Sequence, residues 1–352
     1  MYSNTADRGT ITWQSPSNIA LVKYWGKQGN QLPCNPSLSM TLNASYTTTS
    51  FSYVKRKSGR EAALQFLFAG ARNESFEKRI TAYLNSLLID YPFLAAYDLT
   101  IDSANTFPHS SGIASSAASF SALALCVVSL KQMIEGKQGE SSFFREASQL
   151  ARLGSGSACR SVYGGYSVWG SVDDVPGYSN EYAVPLISEI HPVFRSFYDT
   201  ILIVSAEKKK VGSSTGHVLM EQHPFARQRF RQANVHTTEL IGVLKAGDLD
   251  RYIEIVENEA LTLHSLMMSS TPGFILMKKE TVEIIEKIRE FRKTENVPVA
   301  FTLDAGPNVH VLYPASHRKE VMKFIKDALE ERCTEGHWID DSLGTGPKQL
   351  KG

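Results

Sequence analysis

Four short segments of this 352-residue chain carry the residue types that phosphate chemistry needs. The richest is Pro108-His-Ser-Ser-Gly-Ile-Ala-Ser-Ser-Ala-Ala118, where small and hydroxyl-bearing residues run straight into a long apolar stretch. A helix that begins there presents backbone N–H groups without intrahelical partners and the positive end of its dipole. Small residues admit a phosphate to that backbone, and hydroxyls add donors or a magnesium contact. Serine is also a favoured helix cap, so a plain cap accounts for the same composition. Two other phosphate loops are excluded. Gly26-Lys27 and Gly136-Lys137 are each followed by glutamine, so no G-x-x-x-x-G-K-[ST] exists, and no G-x-G-x-x-G exists either.

The second segment, Ser17-Asn-Ile-Ala-Leu-Val-Lys-Tyr-Trp-Gly-Lys27, ends a short apolar strand in two lysines and two aromatics. Lys23 and Lys27 suit an anionic ligand and Tyr24 a wall, although lysines at a strand end are commonly just exposed. The third, Leu153 to Gly165, places two Gly-Ser pairs before Arg160. Glycine allows close backbone approach, and a guanidinium forks onto carboxylate or phosphate. The fourth is Thr302-Leu-Asp-Ala-Gly-Pro-Asn308. Asp304 at the end of an apolar strand is either an Asx-turn former or a general base beside a reacting hydroxyl. Together these supply what phosphoryl transfer from ATP requires: a phosphate cradle, cations, and an acid near the nucleophile.

The elements that must position them follow from hydrophobic spacing. Thr10–Gln14, Ile19–Tyr24, Ser37–Leu42 and Tyr46–Val54 read as strands. Asn73–Leu88 has helical spacing, with Phe76, Ile80, Tyr83, Leu84 and Leu87 on one side. Helices follow at Ile113–Met133 and Ser142–Leu153, with short strands at Leu99–Ile101 and Tyr163–Trp169. Beyond strand Ile201–Val204 the pattern turns helical, through Phe225–Leu244, Asp248–Met268 and Gly273–Arg289. Strands Val297–Leu303 and His310–Tyr313 and a helix Ser316–Leu329 complete the reading. This order predicts an α+β protein with domains at 1–185 and 186–352.

Composition limits the function classes. A net charge of +1 provides no bulk field toward nucleic acid or anionic membrane. The uncharged run Ile113–Leu130 has transmembrane length, but five of its residues are serines, which suits a buried helix better. The first residues lack a basic segment followed by an apolar one, so no signal peptide is expected. Cys34, Cys126, Cys159 and Cys333 show no zinc spacing and read as free thiols in a reducing cytosol.

The motifs SPSNIALVKYWGK, NTFPHSSGIASSAAS, GSGSACRSVYGGY, VSAEKKKVGSSTG and LDAGPN occur in the order found in the mevalonate diphosphate decarboxylases, a branch of the GHMP kinase superfamily. The chain resembles that family over residues 11–313, and weakly to Gly344-Thr-Gly-Pro347. The resemblance implies a ribosomal-protein-like N-terminal domain, a ferredoxin-like C-terminal domain and an active-site cleft between them. It implies an ATP- and magnesium-dependent reaction on mevalonate 5-diphosphate in a cytoplasmic homodimer. The 3-hydroxyl is phosphorylated, then phosphate and CO₂ leave, giving isopentenyl diphosphate and ADP. Residue by residue, Asp304 matches the catalytic aspartate, Lys23 the lysine beside it, and Arg160 the arginine that orients the substrate carboxylate. Tyr24, Lys27, Ser157 and the Ser213–Ser214 pair match substrate-binding positions. Ser110, Ser111, Gly112 and Ala114 lie in the nucleotide loop, and Ser115 and Ser116 match hydroxyls at the ATP phosphates and magnesium. His109-Ser110-Ser111 departs from the smaller residues usual before the loop glycine. The run Lys208–Lys210 reads as a solvated loop or a diphosphate attractor. A relative that takes the monophosphate, or only phosphorylates the 3-hydroxyl, is the alternative, and a noncatalytic nucleotide-binding protein on the same scaffold is a more distant one.

Overall fold

A computed structural model of the chain describes residues 7–56, 63–108, 113–136, 139–173, 175, 177–186, 190–207 and 213–352. It opens with β1 (Arg8–Val22), then a small hairpin, β2 (Lys27–Gln28) and β3 (Leu32–Pro33), then β4 (Ser37–Lys55). Thr10–Gln14 and Ile19–Tyr24, expected as two strands, are one strand that ends at Val22. The Ser-Pro-Ser break between them is absorbed by a register shift between Pro16 and Asn18, where a proline's missing N–H is tolerated. Ser37–Leu42 and Tyr46–Val54 likewise fuse into β4.

β4 is the spine of an eight-stranded sheet. It pairs antiparallel with β1 and, along its second half, with β7 (Tyr97–Asn105). β7 is flanked in parallel by β5 (Leu64–Phe68), which carries the short β6 (Ala71–Arg72). The first half of β4 pairs with β8 (Tyr166–Trp169), which pairs with β9 (Ala183–Leu186). Helix α1 (Glu74–Leu87) starts where Asn73 Oδ1 accepts the Phe76 N–H at 3.0 Å and buries Ile80, Tyr83, Leu84 and Leu87. Helix α2 (Ser115–Glu135) lies against β1 and β4, with α3 (Glu140–Gly154) beside it. By length and composition α2 is apolar enough to cross a membrane, yet 72% of its apolar window is buried within this fold. It is a core helix, as its serine content suggested.

After α4 (Pro192–Arg195), β10 (Phe197–Leu202) begins a second, four-stranded antiparallel sheet in the order β11 (Ala300–Leu303), β12 (Val309–Pro314), β10, β13 (Trp338–Ser342). Helices α5 (Ser213–Leu219), α6 (Ala226–Ala246), α7 (Leu249–Ser269) and α8 (Lys279–Glu295) lie between β10 and β11 in sequence, and α9 (Arg318–Phe324) after β12. The helix expected from Gly273 starts at Lys279 instead, where the Lys278 N–H is taken by Thr281 Oγ1 at 3.1 Å. The helix expected over Ser316–Leu329 is a 3₁₀ turn, α9, and a π turn over Ile325–Leu329. The chain then returns to the first sheet as β14 (Lys348–Lys351), antiparallel to β1. The lobes are joined a third way. Asp341 on β13 accepts the N–H groups of Asn43, Ala44 and Ser45 at 2.7–2.8 Å, a carboxylate filling the gap in the β4 ladder.

Candidate active site

One cavity of about 350 Å³ sits between the two sheets' lobes. Its floor is built where β1 and β11 end. Lys23 follows β1 directly, and its Nζ lies 3.3 Å from Asp304 Oδ1 while donating to the Ala20 carbonyl at 2.5 Å. Lys23 is 2% exposed and Asp304 26%, so the carboxylate faces the cavity and the ammonium lies behind it. Burial pushes the lysine pKa down, and the charge and hydrogen bond of Asp304 oppose that fall. Asp304 follows β11, and its carbonyl accepts from the Gly306 N–H at 2.7 Å and from His264 Nε2 on α7 at 3.1 Å. The tight Asp-Ala-Gly turn and the α7 imidazole therefore fix where the carboxylate points.

Arg160 forms the second wall. It is buried to 2% exposure, and its side-chain hydrogen-bond partners among the described residues are neutral: Ser37 Oγ at 2.6 Å and Asn18 Oδ1 at 3.4 Å. Its Nε has no hydrogen-bond partner among the described residues. The guanidinium lies 5.7 Å from the Trp169 ring centroid. Burial lowers its pKa, against weaker support from Cys159 and Asp304. A buried cation held by neutral acceptors is arranged to receive an anion, since an unmatched buried charge is costly.

The third side is the start of α2. Ala114 takes a left-handed conformation at φ 42° as N-cap, and Ser116 faces the cavity with its Oγ 3.1 Å from Ser155 Oγ. Ser155, Gly156 and Ser157 continue that wall. A Cβ on Gly156 would sit 2.9 Å from both Tyr24 Oη and Trp169 Cη2, so glycine keeps the aromatic pocket open. At the mouth, His217 on α5 is sandwiched by Tyr24 and Trp25, at centroid distances of 4.2 and 4.8 Å. The Gly26 N–H donates to His217 Nδ1 at 3.0 Å, which leaves the imidazole proton on Nε2. Burial, with Lys27 and Arg160 nearby, lowers the His217 pKa to about 3. Tyr24 Oη is buried without a partner among the described residues, and burial raises its pKa. Lys27 Nζ donates to Gln31 Oε1 at 3.3 Å.

The structure thus brings Lys23, Tyr24, Lys27, Ala114, Ser116, Ser157, Arg160 and Asp304 around one cavity. Ser115 occupies the first helical position, outside the cavity lining. Ser213 and Ser214 open α5, the helix that carries His217. Ser110, Ser111 and Gly112 lie outside the described residues, as does Lys208–Lys210. Sequence reasoning passed over Asn18, Gln31, Arg79 and His217, which also line the cavity. Asn18 and His217 lie within or next to recognised motifs. Arg79, on α1, had no such signal.

Residues 15–180 match the family model described as diphosphomevalonate decarboxylase-like N-terminal domain, and residues 200–346 that of the mevalonate 5-diphosphate decarboxylase C-terminal domain. A diphosphomevalonate decarboxylase of Eremothecium gossypii is 32% identical, over 88% of this chain and 79% of its own. The chain belongs to the diphosphomevalonate decarboxylase family. The zebrafish (Danio rerio) relative is 30% identical over 94% of this chain and 82% of its own. Among solved structures, mevalonate diphosphate decarboxylase from Staphylococcus aureus superposes with a TM-score of 0.83 at 28% identity, covering 97% of this chain and 98% of that one. MDDEF, solved in complex with MVAPP, AMPPCP and magnesium, gives a TM-score of 0.81 at 26% identity over 98% and 100%. The expected α+β, two-domain GHMP-type fold is borne out by these decarboxylase structures.

Proposed function

We propose that this cavity phosphorylates the tertiary 3-hydroxyl of mevalonate 5-diphosphate from ATP and then expels phosphate and CO₂ to give isopentenyl diphosphate. The observation that carries the reading is the Lys23–Asp304 pair and the anion-ready Arg160 around one cavity. Asp304 is the exposed partner of the pair, so it meets the substrate hydroxyl and takes up or offsets its proton. Lys23, 3.3 Å away, orients that carboxylate. Arg160 receives the substrate carboxylate, whose bonding electrons become the new C=C bond as phosphate departs with the former hydroxyl oxygen. The neutral Ser37 and Asn18 partners leave the guanidinium charge available for that carboxylate.

The mouth suits a diphosphate. Lys27 provides a cation, Tyr24 a hydroxyl without a partner among the described residues, and His217 a neutral N–H donor. Ser157 and the Ser213–Ser214 segment belong to the same proposed subsite. The α2 end suits a triphosphate, with Ala114, Ser116 and Ser155 presenting small side chains and hydroxyls beside the first N–H groups of the helix. Among the described residues no group of three His, Cys, Asp or Glu side chains would hold a metal. Magnesium therefore fits as an ion brought by phosphates and touched by a serine hydroxyl, with Ser116 placed for it and Ser115 less so. Bound there, it neutralises phosphate charge. The four cysteines are thiols, which supports a reducing cytosol. A cytoplasmic homodimer is part of the same proposal, checked by fractionation and sedimentation.

The test is turnover of mevalonate, its 5-phosphate and its 5-diphosphate side by side, reading ADP and CO₂ together. The proposal predicts equimolar ADP and CO₂ from the diphosphate. ADP without CO₂, or preference for the monophosphate, overturns it.

A further inference from the structure

Lys23 stands just past the end of β1, so its N–H and C=O have left the sheet ladder. Buried backbone groups in that position need other partners. Each finds one in the second lobe. The Lys23 N–H donates to Glu259 Oε2 on α7 at 2.8 Å, and its carbonyl accepts from Arg229 Nη2 on α6 at 3.0 Å as well as from Asn35 Nδ2, before β4 in the first lobe, at 2.9 Å. Glu259 and Arg229 are themselves a forked ion pair, at 2.5 and 2.7 Å, with side chains 0% and 1% exposed. His236 Nδ1 lies 2.7 Å from the other Glu259 oxygen. Burial works to raise the Glu259 pKa, but the Arg229 charge and the bonds from His236, Arg229 and the Lys23 N–H hold it at about 2.

A buried ion pair is weak evidence of stabilisation, because apolar residues of the same volume often serve as well. This pair has a geometric use that apolar residues lack. It offers an acceptor to one side of the Lys23 Cα and a donor to the other, which fixes the direction of the side chain. The ammonium so aimed meets Asp304, which belongs to the same second lobe as the pair. We propose that Glu259 and Arg229 are positioning residues that register Lys23, from the first lobe, against the Asp304 carboxylate of the second. They touch no reacting atom and act through Lys23. The inference rests on reading Lys23 and Asp304 as reaction-site residues.

The control for mere destabilisation is Glu257, also buried on α7 but paired with Arg292 at 2.6 Å. Glu257→Ala and Glu259→Ala are expected to lower thermal stability alike. Only Glu259→Ala should also lower kcat, by about a hundredfold for a misplaced reacting group, with KM nearly unchanged. Glu259→Gln, which keeps an acceptor for the Lys23 N–H, should recover part of it. In a Lys23→Met background the Glu259→Ala loss should shrink to within about threefold, since both act through one group. Equal kcat in folded Glu257→Ala and Glu259→Ala overturns the proposal, as does an undiminished loss in the Lys23→Met background. Acylation of Lys23, followed by peptide mapping, reads the clamp independently of substrate. Labelling should be at least severalfold faster in Glu259→Ala than in Glu257→Ala, and equal labelling overturns the clamp. A wild type with shielded Lys23 but no CO₂ release overturns only the functional reading.

Discussion

Asp304→Asn isolates the charge at the centre of the site. The amide is isosteric and still offers an oxygen to Lys23, so the 3.3 Å contact survives while the negative charge does not. Two unit charges at that distance attract by about 5 kcal/mol at an effective dielectric near 20. Asp304 is 26% exposed, so solvent screening reduces this to about 3 kcal/mol. At 1.36 kcal/mol per decade that corresponds to about a hundredfold in rate. Loss of proton acceptance by the carboxylate adds about another hundredfold to ten-thousandfold. The expected outcome is a kcat lower by roughly four orders of magnitude or more with KM within about tenfold. The variant also removes both influences of Asp304 that raise the Lys23 pKa, so the alkaline limb of the rate profile moves to lower pH. Coupled ADP release and trapped CO₂, followed from pH 6 to 10, measure both. A kcat within about tenfold of wild type would mean that Asp304 does not face the reacting hydroxyl.

Further perturbations test other parts of the site. Arg160→Met should keep or raise the melting temperature while kcat/KM falls at least about a hundredfold, because a buried cation awaiting an anion is replaced by apolar volume. A large drop in melting temperature would instead mark Arg160 as structural. His217 has a folded pKa of about 3 against 6.5 for the unfolded chain, so its contribution is intact above 6.5 and is lost progressively as pH falls toward 3. Unfolding free energies of wild type from urea titrations should therefore fall more steeply between pH 6.5 and 4 than those of His217→Gln, by up to about 1.4 kcal/mol per pH unit. Parallel slopes would contradict a buried neutral imidazole. Gly216→Ala places a Cβ 2.2 Å from Trp25 Cζ2 and should destabilise by about 1–3 kcal/mol through overpacking, raising KM for the diphosphate as α5 shifts. Unchanged stability and KM would show that α5 does not pack there.

Much of this was legible from local pattern. The α1 start is marked by Asn73, and the chemistry-bearing residues fall at element ends, where Lys23 follows β1 and Asp304 follows β11. What escaped was set by partners far away in sequence. The Ser15-Pro-Ser17 break looks like a turn, yet Ser15 Oγ donates to Ser121 Oγ and Ser17 Oγ to the Ile113 carbonyl, which holds the strand through it. β13 reads Trp-Ile-Asp-Asp-Ser, without alternation, because Asp341 is spent on the backbone of residues 43–45. β14, Lys-Gln-Leu-Lys, is exposed along its whole length and has no apolar face to betray it. The site shows the same division. Lys23 and Arg160 stand out by type and neighbours, whereas Glu259 and Arg229 lie on helices whose spacing predicts only packing. Their role exists only once α6 and α7 reach the turn after β1.

The return of the chain as β14 has a mechanical consequence. The second sheet and its helices are inserted between β9 and β14, two strands of the first sheet. Two covalent straps, not one, therefore tether the lobes. A single linker permits swivelling in every direction, whereas two separated anchors leave mainly one freedom, a flap-like opening about the line through them. Any breathing of the cavity is then channelled into widening or narrowing its mouth. Side-to-side slippage, which would carry Lys23 past Asp304, is resisted by the connectivity itself.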